Sequence, residues 1–222
     1  MRIKDVLKLV EKYLVEEGVD DARLKARILL SNTISKPKEY LITHDDEDIK
    51  DATISKVFEK VMRIKEGVPI QYVTNHQEFY GLDFYVNENV LIPQPDTEIL
   101  VEEAIGLIRT CLKDRLISEN STQIKVLDLC TGSGIIAISL KKKFGDGILM
   151  FGSDISREAL GIAKRNAKAN STSVNYFESN LFENIEEKEF QGNYRLCDPA
   201  GDAAADRHSP ERRTGTDCGQ AD

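Results

Sequence analysis

Residues 126–140 carry the pattern that most constrains the fold of this chain. The short apolar run Val126-Leu127-Asp128-Leu129 is typical of a buried parallel strand. It leads directly into Cys130-Thr131-Gly132-Ser133-Gly134, whose glycines allow a tight turn and close approach of a ligand to the backbone. The apolar residues after Gly134 keep helical spacing. A strand, a glycine turn and a helix N-terminus at one point predict a binding site for a nucleotide-like ligand.

A second apolar run, residues 148–152, leads to Asp154. A carboxylate at the tip of the second strand can accept hydrogen bonds from ribose hydroxyls, which indicates an adenosine-containing cofactor. Residues 157–170 then have helical spacing, and residues 174–177 are typical of a third strand. This strand and helix order predicts an α/β fold with a parallel, doubly wound sheet.

Composition excludes several classes of protein. The chain has 222 residues, 41% of them hydrophobic, and a net charge of −8, which argues against direct binding to nucleic acid or to anionic membranes. Its four cysteines show no CxxC spacing, so we expect neither a metal site nor a disulfide framework. The N-terminal residues lack the apolar core of a signal peptide. We therefore expect a cytoplasmic protein with no membrane segment.

The region before residue 93 divides into two parts. Residues 1–66 have helical spacing throughout and are predicted to form a small helical domain that docks a protein partner, with simple packing as the alternative. Residues 67–92 are predicted to form a β-hairpin linker. Its strands are expected at residues 70–73 and 79–86, with a turn at Asn75-His76.

The last 33 residues differ in composition from the rest. Residues 93–189 are predicted to be a partial nucleotide-binding domain, in which Pro95-Asp96-Thr97 begins a helix. Residues 190–222 contain no Lys, Ile, Val or Met, and Leu196 is their only leucine. They are predicted to be an aberrant, disordered tail that contributes no buried strand. The sheet is then incomplete, with three strands and one unpartnered edge.

Residues 1–189 resemble the protein-(glutamine-N5) methyltransferases that modify peptide chain release factors. These enzymes transfer a methyl group from S-adenosylmethionine to the glutamine amide of the release factor's Gly-Gly-Gln motif. Residues 92–98 resemble the family's I-P-R-P-E/D-T-E signature with Gln94 in place of Arg, and residues 128–134 resemble D-L-G-T-G-S-G with Cys130 in place of Gly. Two further segments are similar to family motifs: Asp154-Ile155-Ser156 with residues 159–167, and Ser179-Asn180-Leu181-Phe182.

The resemblance implies a Rossmann-like fold that depends on S-adenosyl-L-methionine, and a release factor as the protein partner. Residues 130–134 would wrap the methionine part of the cofactor, Asp154 would hold the ribose, and Leu181 would lie against the adenine. Asn180, where the family has Asp, would accept a hydrogen bond from the adenine amine through its amide oxygen. Asp128 and Ile155 complete the implied set of cofactor-binding residues.

The family's catalytic motif, Asn-Pro-Pro-Tyr after the fourth strand, is absent from this sequence, so no catalytic residue is assigned. The corresponding place holds Cys197-Asp198-Pro199-Ala200. We interpret the change as a frameshift or truncation after about residue 190. When they are read one base later, codons for residues 193–196 can spell Ile-Ile-Val-Ser, as in the family's fourth strand, and codons for Pro199 and Ala200 can both spell Pro.

Two alternative functions remain open from the sequence. The first is a catalytically inactive, truncated product that binds the cofactor or the release factor without turnover. The second is an NAD-dependent oxidoreductase, because Gly132-x-Gly134-x-x-Ala137 also fits the dinucleotide-binding fingerprint and Asp154 fits its ribose acid. The position of the glycine turn after a helical domain favours the methyltransferase.

Overall fold

The helical part of the chain begins at its third residue. The computed structural model describes residues 1–118, 123–184 and 194–197. Its first five helices are α1 (Ile3–Glu16), α2 (Ala22–Ile34), α3 (Tyr40–Thr43), α4 (Asp51–Lys65) and α5 (Ile70–Thr74). Apolar residues at helical spacing give each long helix one buried face. These faces meet in a core that includes Val6, Val10, Leu14, Leu29, Leu30, Val57 and Val61.

Helix α5 corrects the prediction of a strand at residues 70–73. Pro69 precedes the helix, and its carbonyl accepts hydrogen bonds from the N–H groups of Tyr72 (3.0 Å) and Val73 (3.1 Å). Val73 is buried in the core of the helical domain. The β-branched composition that suggested a strand is overridden because a helical turn places Val73 in this core.

The β-hairpin exists, but its strands and its turn differ from the prediction. Strand β1 (Gln77–Phe79) pairs antiparallel with β2 (Leu82–Phe84), and Tyr80-Gly81 forms the turn instead of Asn75-His76. Both turn residues have positive φ, 52° and 71°. Two-residue hairpin turns of type I′ require this conformation, because it matches the twist of the strands.

The second half of the chain is an α/β unit with a parallel sheet. Its elements are α6 (Asp96–Ser118), β3 (Ile124–Leu129), α7 (Ile135–Phe144), β4 (Ile148–Asp154), α8 (Arg157–Ala169), β5 (Asn175–Glu178) and β6 (Tyr194–Cys197). The strand order is β5-β4-β3-β6, and every neighbouring pair is parallel. The chain therefore builds the sheet outward from β3 in one direction and returns to the other side of β3. Ligands of open α/β sheets bind at such a switch point, at the carboxyl ends of the strands.

Alternate residues of β3 face the two sides of the sheet, as strand geometry requires. Ile124 and Val126 belong to the core that α6, α7 and the hairpin cover, whereas Leu127 and Leu129 pack on the other side. Because both faces of β3 are buried, its sequence is almost continuously apolar.

Strand β6 corrects part of the prediction for the last 33 residues. Residues 194–197 pair with β3 in parallel, with Leu196 opposite Leu127 and Cys197 opposite Asp128. The expectation that this segment cannot form a strand is therefore wrong. Ladder hydrogen bonds come from the backbone, so β3 can pair on its second edge with a segment of unpromising side chains. Residues 190–193 and 198–222 lie outside the described residues, so the disorder predicted for this tail is not tested there.

Phe84→Ala is expected to lower the free energy of unfolding by about 3–5 kcal/mol, which is typical for a buried phenylalanine. Phe84 is only 1% exposed and meets Phe79 edge to face, with ring centroids 6.4 Å apart. Urea denaturation measures the change. The matched control is Asp83→Ala on the same strand, whose side chain is exposed and contacts His76 at the surface, so it should change little. Equal effects of the two substitutions would contradict this packing.

Candidate functional site

The glycine turn between β3 and α7 is strongly bent. Cys130, Gly132 and Gly134 have positive φ values of 56°, 53° and 79°. Glycine adopts this conformation without steric cost, whereas a cysteine pays for it because its Cβ approaches the backbone. The turn lies at the carboxyl end of β3, which is the switch point of the sheet. The Cys130 side chain is exposed there.

Asp128 holds the turn from below. Its carboxylate is fully buried, and its Oδ2 accepts hydrogen bonds from the Thr131 hydroxyl (2.7 Å) and from the N–H of Ala137 (3.2 Å). A negative charge is favourable beside the first turn of a helix, where backbone N–H groups point outward. The sequence predicted Asp128 in the cofactor site, and the structure places its carboxylate beneath the turn rather than on the surface.

Asp154 joins the end of β4 to the same turn. Its Oδ2 accepts a hydrogen bond from the N–H of Gly132 (2.8 Å), and its Oδ1 accepts one from the N–H of Ser156 (3.0 Å). The N–H of Thr131 donates to the Ser153 carbonyl at 2.9 Å. Asp154 is partly exposed, in contrast to Asp128. Its carboxylate therefore remains accessible at the edge where the turn opens.

Two apolar side chains that follow β4 and β5 are exposed. Ile155 is 67% exposed and Leu181 is 54% exposed. They follow the paired ends of β4 and β5, which the hydrogen bond from the N–H of Ser179 to the Asp154 carbonyl (3.0 Å) holds together. A partly exposed carboxylate and exposed apolar side chains at neighbouring strand ends suit an adenosine, whose ribose is polar and whose base has apolar faces.

Asn180 follows β5, directly before Leu181, and is exposed. Its side-chain N–H donates to the Glu183 carboxylate at 3.0 Å. Within the described part of the chain, its amide oxygen accepts no hydrogen bond, so it can accept one from a ligand.

Tyr176 on β5 supports the turn from the interior, and sequence reasoning did not identify it. A Cβ on Gly152 would lie 2.7 Å from the Tyr176 ring, and a Cβ on Gly134 would lie 2.7 Å from its hydroxyl oxygen. Tyr176 thus fills the space that the two glycines leave. Its buried hydroxyl has no hydrogen-bond partner among the described residues. Burial, and then the negative charge of Asp128, raise the pKa of Tyr176 above its ordinary value.

The structure brings the predicted site residues together on three adjacent segments, which follow β3, β4 and β5. Cys130, Gly132, Asp154, Ile155, Asn180 and Leu181 are at least partly accessible, whereas Asp128, Thr131, Ser133 and Gly134 are buried. Sequence reasoning missed Tyr176 and Asn166, which contact the turn from behind. Asn166 lies in the helical segment that the sequence matched, but nothing in the spacing of that segment assigned it a contact.

The described residues contain neither a membrane-spanning helix nor a cluster of metal ligands. None of the described helices is long and apolar enough to span a membrane. Across residues 1–118, 123–184 and 194–197, no three His, Cys, Asp or Glu side chains cluster as metal ligands would.

Two family models match the chain in the order of its two parts. A model described as the PrmC N-terminal domain matches residues 5–74, and one described as the methyltransferase small domain matches residues 107–199. The sheet and its glycine turn are therefore a methyltransferase domain of the Rossmann-like class that uses S-adenosylmethionine. This confirms the predicted fold class and cofactor and supports them over the NAD-dependent alternative.

Curated relatives match most of the chain. The bifunctional methyltransferase of Rickettsia conorii is 37% identical over 206 residues, which cover 85% of this chain and 39% of the relative. The release factor glutamine methyltransferases of Clostridium acetobutylicum and Leptospira interrogans are 37% and 35% identical, and the matches cover 75% and 89% of this chain. Over most of its length, the chain is therefore similar to the release factor glutamine methyltransferases.

The chain does not span its relatives. It covers 54% of the Clostridium protein and 66% of the Leptospira protein. Among solved structures, the tRNA (uracil-54, C5)-methyltransferase of Pyrococcus abyssi in complex with S-adenosyl-L-homocysteine is 22% identical. That match covers 47% of this chain and 23% of the other, with a TM-score of 0.31.

Tyr176→Phe is expected to raise the free energy of unfolding by about 1 kcal/mol at neutral pH, because it removes a buried hydroxyl without a partner and keeps the ring. Burial raises the pKa of Tyr176 in the folded state, so above about pH 10 its hydroxyl ionises in the unfolded chain while it stays neutral in the folded one. Its contribution to stability is therefore complete below about pH 10 and is lost as the pH rises from there toward the raised pKa of the folded state. Phenylalanine has no such loss, so the advantage of the variant should widen in alkali. Urea denaturation at neutral and alkaline pH measures both effects. A less stable variant with an unchanged alkaline slope would contradict the account.

Proposed function

We propose that this chain derives from a methyltransferase that transfers a methyl group from S-adenosylmethionine to the glutamine of the Gly-Gly-Gln motif in a peptide chain release factor. The observation that carries the proposal is the partly exposed Asp154, which bonds the glycine turn at the switch point of the sheet and is followed by the exposed Ile155. The relatives named as release factor glutamine methyltransferases support the substrate. A cytoplasmic setting, where release factors act, belongs to the same proposal.

The cofactor-binding roles follow from the exposure and hydrogen-bonding capacity of the site residues. Asp154 accepts hydrogen bonds from the ribose hydroxyls, and Ile155 and Leu181 cover the two faces of the adenine. The amide oxygen of Asn180 accepts from the adenine amine. Residues 130–134 approach the methionine part through the backbone, while the buried Asp128 fixes the turn.

The chemistry of methyl transfer assigns the remaining work to positioning. When it is bound, the cofactor supplies an electrophilic methyl group on its sulfonium. The glutamine amide nitrogen is a weak nucleophile, so the protein must hold it in line with this methyl group. The site residues described above are proposed to position the cofactor. Other residues must bind the glutamine amide and orient its nitrogen.

The helical domain is proposed to dock the release factor. Its match to the PrmC N-terminal domain supports this role, because that domain precedes the methyltransferase domain in the family. Contacts between the domain and the linker also place it beside the methyltransferase domain. Arg63 of α4 forms a 2.8 Å ion pair with Glu88, and the Tyr72 hydroxyl donates to the Val90 carbonyl at 2.7 Å.

We propose that the motif that binds the glutamine amide is missing from this sequence. In the family, Asn-Pro-Pro-Tyr follows the fourth strand, and here Asp198-Pro199-Ala200 follows β6. We infer that the reading frame changes after about residue 190. Sequencing the coding DNA from codon 180 onward tests this inference. A shifted frame that encodes an apolar strand and a Pro-Pro pair supports it, and a shifted frame without them refutes it.

S-adenosylhomocysteine, the product of the proposed reaction, is expected to bind the full chain with one site, and NAD is not. Asp154→Ala should weaken its binding by about 10- to 100-fold, because hydrogen bonds to a charged group contribute about 1.5–3 kcal/mol. Isothermal titration calorimetry measures both affinities.

The matched control for Asp154 is Asp146→Ala, which removes a fully exposed carboxylate that contacts only Lys141 among the described residues. It should bind like the unaltered chain. Binding of NAD instead, or equal binding by all three proteins, would refute the assignment of the cofactor site.

This chain is expected to transfer no methyl group to a release factor. A chain in which the shifted frame is restored and completed should transfer it. Mass spectrometry of the Gly-Gly-Gln peptide after incubation with S-adenosylmethionine detects the added methyl group. Methylation by the unaltered chain would refute the inferred loss of the motif.

A second candidate function is retained because the motif is absent. The chain is then an inactive product that binds the cofactor or the release factor. This candidate would be favoured if the unaltered chain binds the cofactor without transferring a methyl group and if DNA sequencing shows no change of reading frame.

A further inference from the structure

Asn166 on α8 forms hydrogen bonds with two distant segments at once. It is 1% exposed. Its side-chain oxygen accepts from the N–H of Tyr85 (2.8 Å), and its side-chain nitrogen donates to the Tyr85 carbonyl (3.0 Å) and to the Ser133 carbonyl (2.9 Å). One buried amide thus satisfies the backbone N–H and the backbone carbonyl of the linker residue Tyr85, together with one carbonyl of the glycine turn.

Packing alone does not require an amide at this position. A buried amide without partners is costly, so an apolar side chain would serve a core better. Here the hydrogen-bonding groups of Asn166 match the peptide group of a linker residue 81 positions earlier in the chain. The bonds therefore fix where the linker and the turn lie relative to each other.

The same linker is attached to the helical domain. The Asn75 side chain at the end of α5 donates to the Val86 carbonyl at 3.0 Å. Val86 and Val90 are buried against Ala159 and Ile162 of α8, and Tyr72 of α5 packs against the same cluster. A continuous set of contacts therefore runs from α5 through the linker to α8 and, through Asn166, to the turn at Ser133.

We propose that Asn166 is a positioning residue that couples the linker, and with it the helical domain, to the cofactor-binding turn. This inference rests on the proposed cofactor site. Binding of cofactor at the turn fixes the Ser133 carbonyl, which stabilises the Asn166 amide in the orientation that holds Tyr85. By reciprocity, the position of the linker sets the affinity for the cofactor. A partner docked on the helical domain would then influence the cofactor site through these contacts.

Amide hydrogen exchange of the unaltered full chain tests the coupling directly. The N–H of Tyr85 donates to Asn166, so its exchange rate reports on that bond. Saturating S-adenosylhomocysteine is expected to slow exchange at Tyr85 by about tenfold, the effect of a coupling free energy at the low end of the usual range. Val61, which is buried in the core of the helical domain, should show no comparable change.

A pair of variants separates positioning from packing. Asn166→Ala removes the bonds to both segments. Asn170→Ala, at the end of α8, removes a 3.0 Å bond to the Asp83 carbonyl of the hairpin and a 3.1 Å bond to the backbone carbonyl of Asn166, but no bond to the glycine turn. We expect Asn166→Ala to weaken S-adenosylhomocysteine binding by about tenfold and to abolish the slowing at Tyr85 at saturating ligand. Asn170→Ala should keep both.

The outcomes distinguish the inference from the proposed function. If the unaltered chain binds S-adenosylhomocysteine but exchange at Tyr85 does not change, the coupling is refuted and the cofactor site stands. Equal affinities of the two variants also refute it. If Asn166→Ala does not fold, the exchange measurement on the unaltered chain decides. If the folded, unaltered chain does not bind, the proposed function fails and the inference fails with it.

Discussion

Two carboxylates hold the bend on which the site depends. Five residues, 130–134, connect β3 to α7, and three of them have positive φ. The regular hydrogen bonds of a strand or a helix do not stabilise such a segment, so other groups must satisfy its backbone. Asp128 binds the turn from below through Thr131 and Ala137, and Asp154 binds it from the neighbouring strand through Gly132. The first carboxylate is buried and supports the turn. The second is accessible, so a ligand can compete for its hydrogen bonds.

Glycines at two positions follow from the same geometry. Gly134 and Gly152 leave the space that Tyr176 fills, which brings β5 close behind the turn. Asn166 adds a second support from α8. The turn is therefore held by residues of β3, β4, β5 and α8, although the residues proposed to contact the cofactor come only from the segments after β3, β4 and β5. Such support keeps a binding loop in a productive geometry.

The elements predicted from the sequence are those whose signal is local. The apolar run into Cys130–Gly134 and the carboxylate at Asp154 mark strand ends wherever they occur, so the α/β unit and the meeting of these segments at one edge of its sheet were predicted. The segment at residues 70–73 was predicted wrongly, because four apolar and aromatic residues do not distinguish a strand from a helical turn. Strand β6 was missed because its pairing depends on the backbone of β3 rather than on its own side chains. The roles of Asn166 and Tyr176 depend on contacts across 81 and 24 residues, which no local pattern encodes.

The central claim is that the turn after β3 and the ends of β4 and β5 form one cofactor site. NMR titration of the ¹⁵N-labelled full chain with S-adenosylhomocysteine tests it most directly. The account predicts that the largest amide shifts lie at Gly132, Gly134, Ile155 and Leu181, with smaller shifts along α8 at Asn166. Binding with its largest shifts in α1 to α4, or no shifts in a folded chain, would contradict the account.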